Sequence, residues 1–509
     1  MPDLLKRLGE LRPAVTWAYT PGEDEADLDE TPLAKGDVIT AKTGDVTGNV
    51  AVGKNVVQIG TLNIPAWPLA LVGVVAVVLL VAILQGIGRG GGPEPKATTP
   101  TRMSGLFNVA VADFGQQNTD GTVRPSEDGQ KLAQLLFESL DQEFKSLPTT
   151  VAQDFKPQVR YGGLGLVRDD TEAEALAKRV GADVVIYANL TPSQNAATLA
   201  PRFYVSPLHN EADEIVGRYE LGAPIPLRLP LDNREALALN QALNYRQKLL
   251  SRFTLGLMYD LLGRQEQALD VFTQTLDELK TRPETEGREV LLYFIGRANL
   301  FLQRPSDAEA AFQAALDADP KYARAYIGLG GVYYERAQEQ APAQRLAEPD
   351  AWQTALQHYQ TALDRAQAAS DAQVAAKAQL GLAYVYRIRG EGYLHLDTPD
   401  YPAADQDFDQ TARLILAVIP TLQDQYRLLA QAHSVLGIAY EEHAYSRLQQ
   451  ADTAGARTLY TQAKAAYGDC LVQAERSPSD GILTGPGGII PVICQPRQAA
   501  VQQALKSLE

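Results

Sequence analysis

Only two cysteines, Cys470 and Cys494, occur in 509 residues. That scarcity excludes zinc fingers, four-thiolate iron–sulfur ligation and a disulfide-rich scaffold. Basic clusters are missing as well. The chain has 46 Lys+Arg against 62 Asp+Glu, a net charge of −16, and no Lys/Arg run of even four. An acidic chain without such a cluster is a poor polyanion binder, so no nucleic-acid partner is expected. The histidines, His209, His358, His395, His433 and His443, show no paired ligand spacing, and no metal site is expected. Gly162, Gly163 and Gly165 in YGGLGL miss the dinucleotide spacing and read as a plain turn. No nucleophile with an acid–base partner can be assembled, so neither enzymatic activity nor a cofactor is expected.

One absence is local. Between Asn55 and Gly88 there is no charged residue, and Trp67 to Leu84 reads WPLALVGVVAVVLLVAIL, 18 residues of nearly pure Leu, Val, Ile and Ala. A helix of that length spans about 27 Å, close to the hydrocarbon core of a bilayer. Trp67 suits the headgroup level, and Pro68 suits a first helical turn. With about 65 residues ahead of it the segment does not read as a cleaved signal peptide. The pattern predicts one membrane helix over 66–87, with the lipid bilayer as a partner. GIGRGGGPEPKATTPT follows without periodicity and reads as a flexible linker over 88–105.

Beyond the linker, residues 106–230 pattern as a small α/β domain. FNVAVADF (Phe107–Phe114) is strand-like, and Leu132, Leu135, Leu136 and Leu140 recur at helical spacing within Gly129–Phe144. Ala173, Leu176, Ala177 and Val180 share a second helical face, Gly181 ends it, and DVVIYANL resumes as a strand. PRFYVSP and the run from Ile215 to Leu229 read as further strands. These words, "VAVADF", "GQKLAQLLFESL" and "EALAKRVGADVVIYANL", resemble the TolB amino-terminal-like domain. The resemblance implies a non-enzymatic domain that often sits outside the cytoplasmic membrane, sometimes followed by helical repeats.

From about residue 245 to 509 the sequence repeats. Gly256, Tyr259, Ala268 and Phe272 keep offsets of 3, 12 and 16. Gly296 is followed by Ala308, Phe312, Ala315 and Pro320 at 12, 16, 19 and 24, and Gly330 lies 34 residues beyond Gly296. Spacings and residue types resemble the tetratricopeptide repeat. Glycine on the first helix admits the second closely, alanine fills the crossing, the aromatic plugs the gap, and proline stops the second helix. Three stretched units follow: Gly330–Tyr333 with Ala355, Tyr359 and Ala362; Gly381–Tyr384 with Ala404 and Phe408; Gly437–Tyr440 with Ala463, Tyr467 and Cys470. Their extra residues lengthen the helices or form loops on one face. Five units suffice for a solenoid, and Val501–Leu508 is a candidate capping helix. The resemblance implies a concave groove for a protein or peptide ligand.

Ahead of the membrane segment, residues 1–43 read as a short helix and a flexible tail. Residues 44–64 are β-prone, with Val, Ile, Gly and Asn in close alternation. Such a segment either self-associates as a steric zipper or is a short β-hairpin or a tethered juxtamembrane stretch. Its core Val57, Gln58, Ile59 and Gly60 resembles the receptor-interacting-protein homotypic interaction motif and similar bacterial amyloid-signalling motifs, which implies self-association.

Cys470 takes the small-residue position of a second repeat helix and reads as core packing. The alternative is a disulfide with Cys494 that closes the Gly/Pro loop between them. The fold class expected is therefore multidomain: one transmembrane helix, a small α/β domain and an all-α tetratricopeptide solenoid. The function expected is a bacterial-type, membrane-anchored adaptor or sensor; the alternative is a signalling or defence component that assembles through its N-terminal motif once the C-terminal sensor is engaged. Arg89, Lys96 and Arg102 after the span would place the solenoid in the cytoplasm by the positive-inside rule. Lys6, Arg7 and Arg12, the habit of TolB-like domains and the cysteine pair favour the opposite orientation, with the solenoid extracytoplasmic.

Overall fold

The computed structural model describes residues 101–509 apart from 194–195, 209–211, 223, 229–240, 281–286, 478–480 and 486. The N-terminal tail, the segment with Val57–Gly60, the expected membrane helix, most of the linker and His209 lie outside the described residues. Among those described, no helix is long and apolar enough to cross a membrane.

The first region is one mixed sheet of eight strands: β1 (Asn108–Val111), β2 (Gly115–Gln117), β3 (Val123–Pro125), β4 (Gln158–Arg160), β5 (Val184–Ser193), β6 (Ala196–Val205), β7 (Gly217–Glu220) and β8 (Ile225–Arg228). β5 is its spine. Its first half pairs in parallel with β1 and its second half with β2, while β6 runs antiparallel along the other edge. β7 and β8 share the far side of β6. β1 and the start of β5 are buried throughout, which is why NVAV and VVIYA show no polar alternation. Helix α1 (Glu127–Lys145) buries Leu132, Leu136 and Leu140, with Ser126 accepting the Gly129 N–H at its start. A short α2 (Thr149–Phe155) leads to β4. Helix α3 (Asp170–Val180) starts on the Asp169 cap and ends at Gly181, whose φ of +71° suits a residue without Cβ.

Among the described residues, five helix pairs follow. They are α4 (Gln241–Leu261) with α5 (Gln265–Lys280), α6 (Arg288–Phe301) with α7 (Pro305–Ala318), and α8 (Ala323–Glu339) with α10 (Asp350–Ala368), a short α9 (Pro342–Ala347) being inserted in the third pair. The last two are α11 (Ala372–Leu394) with α12 (Tyr401–Val418) and α13 (Tyr426–Gln449) with α14 (Thr453–Arg476). A short α15 (Gly481–Thr484) and α16 (Gln495–Ser507) close the array, α16 packing on α14. Each helix packs on the next pair in turn, and the first helices α6, α8, α11 and α13 also touch one another. That is a tetratricopeptide-type solenoid. Most of the extra residues of the later units lengthen helices: α11 has 23 residues, α13 and α14 have 24 each.

Aromatic plugs hold the pairs together. A Cβ added at Gly256 would stand 2.4 Å from the Phe272 ring, and one at Gly296 would stand 2.6 Å from Phe312. Gly330 meets Tyr359 and Gly437 meets Tyr467 in the same way. Each of Phe312 and Tyr359 is also gripped from the following repeat, by Gly328 and Gly381 respectively. The fourth unit corrects the sequence reading. Gly381 packs on Tyr359 of the preceding repeat, and the glycine against Phe408 is Gly390. The long α11 carries both contacts on one helix, so the first glycine of the stretch is not the one that opens its own repeat. Ala268, Ala308, Ala355, Ala404 and Ala463 are fully buried at the crossings. Tyr384 is buried, whereas Tyr259 and Tyr333 are partly exposed, Tyr333 donating its hydroxyl to Glu309.

The sheet and the array share one core. Phe203 stacks on Tyr219 at 4.8 Å and touches Phe253 of α4 at the same distance, while Tyr219 reaches Phe294 of α6. The two sequence regions are thus distinct in pattern but continuous in packing.

Candidate functional site

The face lined by the first helices holds the concentration of unusual chemistry. Helices α11 and α13 are buried on most sides, so the charges they carry are taken into the interior. Lys377 in AQVAAKAQLGLAYVY is such a charge, 6% exposed. Its Nζ donates to the carbonyl of Val216, 3.0 Å away in the turn before β7. Burial, helped by the nearby Arg324 guanidinium, pushes the Lys377 amine well below its usual value.

That turn, Ala212–Val216, is closed by the Ala212 carbonyl, which accepts from the Ile215 and Val216 N–H groups. Four repeats converge on it. Arg297 of α6 approaches Glu214 at 3.7 Å and pairs with Asp260 of α4. Arg324 of α8 reaches the carbonyls of Val216 and Arg218 at 3.4 Å each and lies 4.1 Å over the Tyr219 ring. Lys377 supplies the contact from α11. From α13 come backbone groups: the N–H groups of Arg427 and Leu428 donate to Asp213 Oδ2 at 2.8 and 3.3 Å. Gln425, at the N-cap of α13, makes no side-chain cap bond. A carboxylate 214 residues away in sequence therefore satisfies the orphan donors and meets the positive end of the helix dipole. Burial raises the Asp213 carboxyl to about 7, against the pull of those two N–H groups and of Arg427.

Beside the turn a cleft of about 70 Å³ stays open, lined by Glu214, Arg297 and Lys377 on one side and by apolar walls that include Phe301, Ile327 and Leu428. Its shape suits one apolar side chain flanked by polar groups. Of the residues singled out from the sequence, the repeat glycines and aromatics build the scaffold under this face. The acidic pair Asp213–Glu214, Arg297, Arg324 and Lys377 escaped that reading. A lysine that is the one charge in the first half of α11, and two acids just ahead of a strand-prone run, were the available signals.

Cys470 and Cys494 form a disulfide, both residues fully buried between α14 and the residues that lead into α16. Among the described residues no group of His, Cys, Asp and Glu could hold a metal ion. The bond closes a loop with a sequence separation of 24. Chain-entropy reasoning gives a stabilisation of about 3 kcal/mol for a loop of that size. Replacing both cysteines by serine is expected to weaken the α14–α16 cap by about that amount while leaving α4–α11 intact. Limited proteolysis around Gly485–Gly488 measures it, and unchanged cleavage would contradict the assignment.

No known family model matches this chain, and no curated protein does. Among solved structures, a thermophilic TPR protein of Thermus thermophilus is 18% identical with a TM-score of 0.30, covering 50% of this chain and 99% of that one. A tetratricopeptide repeat protein of Parabacteroides merdae is 15% identical, with a TM-score of 0.24, 48% of this chain and 87% of that one covered. Yeast Tom70 is 14% identical, with a TM-score of 0.23 and coverage of 70% and 63%.

Proposed function

We propose that this chain is a membrane-anchored adaptor or sensor that binds a protein or peptide partner through the first-helix face of its solenoid, without chemistry of its own. The observation that supports this most is the convergence of α6, α8, α11 and α13 on a five-residue turn. Side chains and backbone donors from four repeats there grip main-chain carbonyls and carboxylates, which is how a groove holds a peptide. A photo-crosslinking residue placed at Ile327, beside the cleft, is expected to give discrete adducts in cells. The same residue at exposed Gln360, on α10, is expected to give none of them. Identical adduct patterns from both positions would sink the groove reading.

The membrane anchor is the apolar run 66–87, and the bilayer the partner of that run. The TolB-like resemblance and the disulfide support a solenoid outside the cytoplasm, because thiols stay reduced inside most cells. A Gln360→Cys variant is expected to react with a membrane-impermeant maleimide on intact cells. Labelling only after lysis would reverse the orientation. Self-association through residues 44–64, centred on Val57–Gly60, is the second reading: it would convert engagement of the solenoid into assembly, as in a signalling component.

A further inference from the structure

The turn Ala212–Val216 is an unusual piece of core. Cores are built from apolar side chains, and burying an acid or a lysine costs free energy unless its partners are in place. Here Asp213, 2% exposed, and Lys377 are both buried; Asp213 holds the backbone at the start of α13, and Lys377 holds the backbone of the turn. The contacts read features common to any acidic turn. One carboxylate caps a helix that has no side-chain cap of its own. The next faces a guanidinium. A carbonyl at the end of the turn accepts from both Arg324 and Lys377. The turn is followed at once by Gly217, at φ +122°, where the chain reverses into β7 and an added Cβ would stand 2.9 Å from the Arg324 guanidinium. The open cleft continues from Glu214 along Arg297 and Phe301, so the face extends beyond what the turn covers.

Resting on the adaptor reading above, we propose that this face is a recognition site for an acidic turn, that Ala212–Val216 is its resident intramolecular occupant, and that the external partner presents a similar turn which displaces it. The partner segment has two consecutive acidic residues followed by an aliphatic pair, as in Asp213–Glu214–Ile215–Val216. Its first carboxylate takes over the N-terminus of α13. An apolar side chain beyond the acidic pair fills the cleft that the resident turn leaves open. The exchange replaces one capping carboxylate by another, so α13 stays ordered while the resident turn is released.

The test uses the full chain in detergent and a fluorescent peptide of sequence ADEIVGRYEL, read by anisotropy. In an Asp213→Ala/Glu214→Ala variant the resident turn loses both acidic anchors. This variant is expected to bind the peptide at least tenfold more tightly than the wild type. A peptide with Asn and Gln in place of the Asp-Glu pair is expected to bind it at least tenfold more weakly than the acidic one. A variant with wild-type far-UV circular dichroism that binds both peptides alike, or neither, overturns the proposal. If the variant does not fold, the wild type decides. At saturating peptide, amide exchange at Ile215 and Val216 is expected to speed up more than tenfold, while Arg427 and Leu428 stay slow because the incoming carboxylate caps them. Unchanged exchange at Ile215 and Val216 overturns the proposal. Crosslinked adducts at Ile327 in a chain that ignores the acidic peptide would keep the adaptor reading and reject this one.

Discussion

Tyr359→Ala is expected to lower the local stability of the third and fourth repeats by about 3–5 kcal/mol, the range for emptying a buried aromatic site. Tyr359 is 2% exposed, and its ring is clamped between two first helices. A Cβ built on Gly330 of α8 would come within 2.8 Å of the ring, and one on Gly381 of α11 within 2.2 Å. Glycines on both sides mean that neither clamp position has a side chain to swing in and fill the space. The void left by Tyr359→Ala therefore persists, which places the effect high in its range. In a repeat array each unit leans only on its neighbours, so the loss stays near α8, α10 and α11. Native-state hydrogen exchange is the suitable measurement. Amides of those helices are expected to exchange more than a hundredfold faster, while α1 and α14 keep wild-type rates. A uniform loss across the chain would show that the array unfolds as one unit. A loss below about 1 kcal/mol would show that the helices close on the void.

The plugs explain why the array was legible in the sequence. Gly, Ala and an aromatic at fixed offsets are demanded by the crossing of two helices, so the demand is local and leaves a periodic trace. Gly256–Phe272 and Gly296–Phe312 carry it without distortion. The trace blurs once α11 lengthens, because a helix of 23 residues holds two glycine contacts, and spacing alone does not say which ring each meets. In the sheet, β1, β5, α1 and α3 were legible from continuous apolar runs or helical periodicity. β2, β3 and β4 were not: three residues each give no period, and their pairing comes from register, β2 with β5, β3 with β2 and β4 with β1. The docking of Ala212–Val216 was the least legible feature. It joins a turn to a helix start 214 residues away in sequence, and such a contact obeys complementarity without periodicity. The missing side-chain cap at the start of α13 is the sequence-level trace it leaves.

Asp260→Ala is the second large effect expected. Asp260 is fully buried on α4 and receives the Arg297 guanidinium on both carboxylate oxygens. Arg297 is itself 4% exposed, and its other acidic neighbour, Glu214, stands 3.7 Å from Nε. Removing Asp260 leaves a buried cation that must draw on Glu214 or on water, and breaking such a pair by deleting one partner costs about 3–5 kcal/mol. The Asp260 carboxyl is raised by burial although Arg297 opposes the shift. A raised acid takes up its proton in the folded protein first. The contribution of Asp260 to stability thus declines as pH rises from its unfolded value through its folded one, and Asp260→Ala removes that slope. The pair's net worth is a separate matter from its breakage. Asp260→Leu combined with Arg297→Met keeps the volume and removes both charges, and is expected to recover most of the loss. Urea unfolding of the single and double variants separates the two. Recovery in the double variant identifies the guanidinium deprived of Asp260 as the source of the cost. Recovery of stability without peptide binding would further assign Arg297 to Glu214 and the acidic turn, because the double variant restores the core while withdrawing the cation that Glu214 faces.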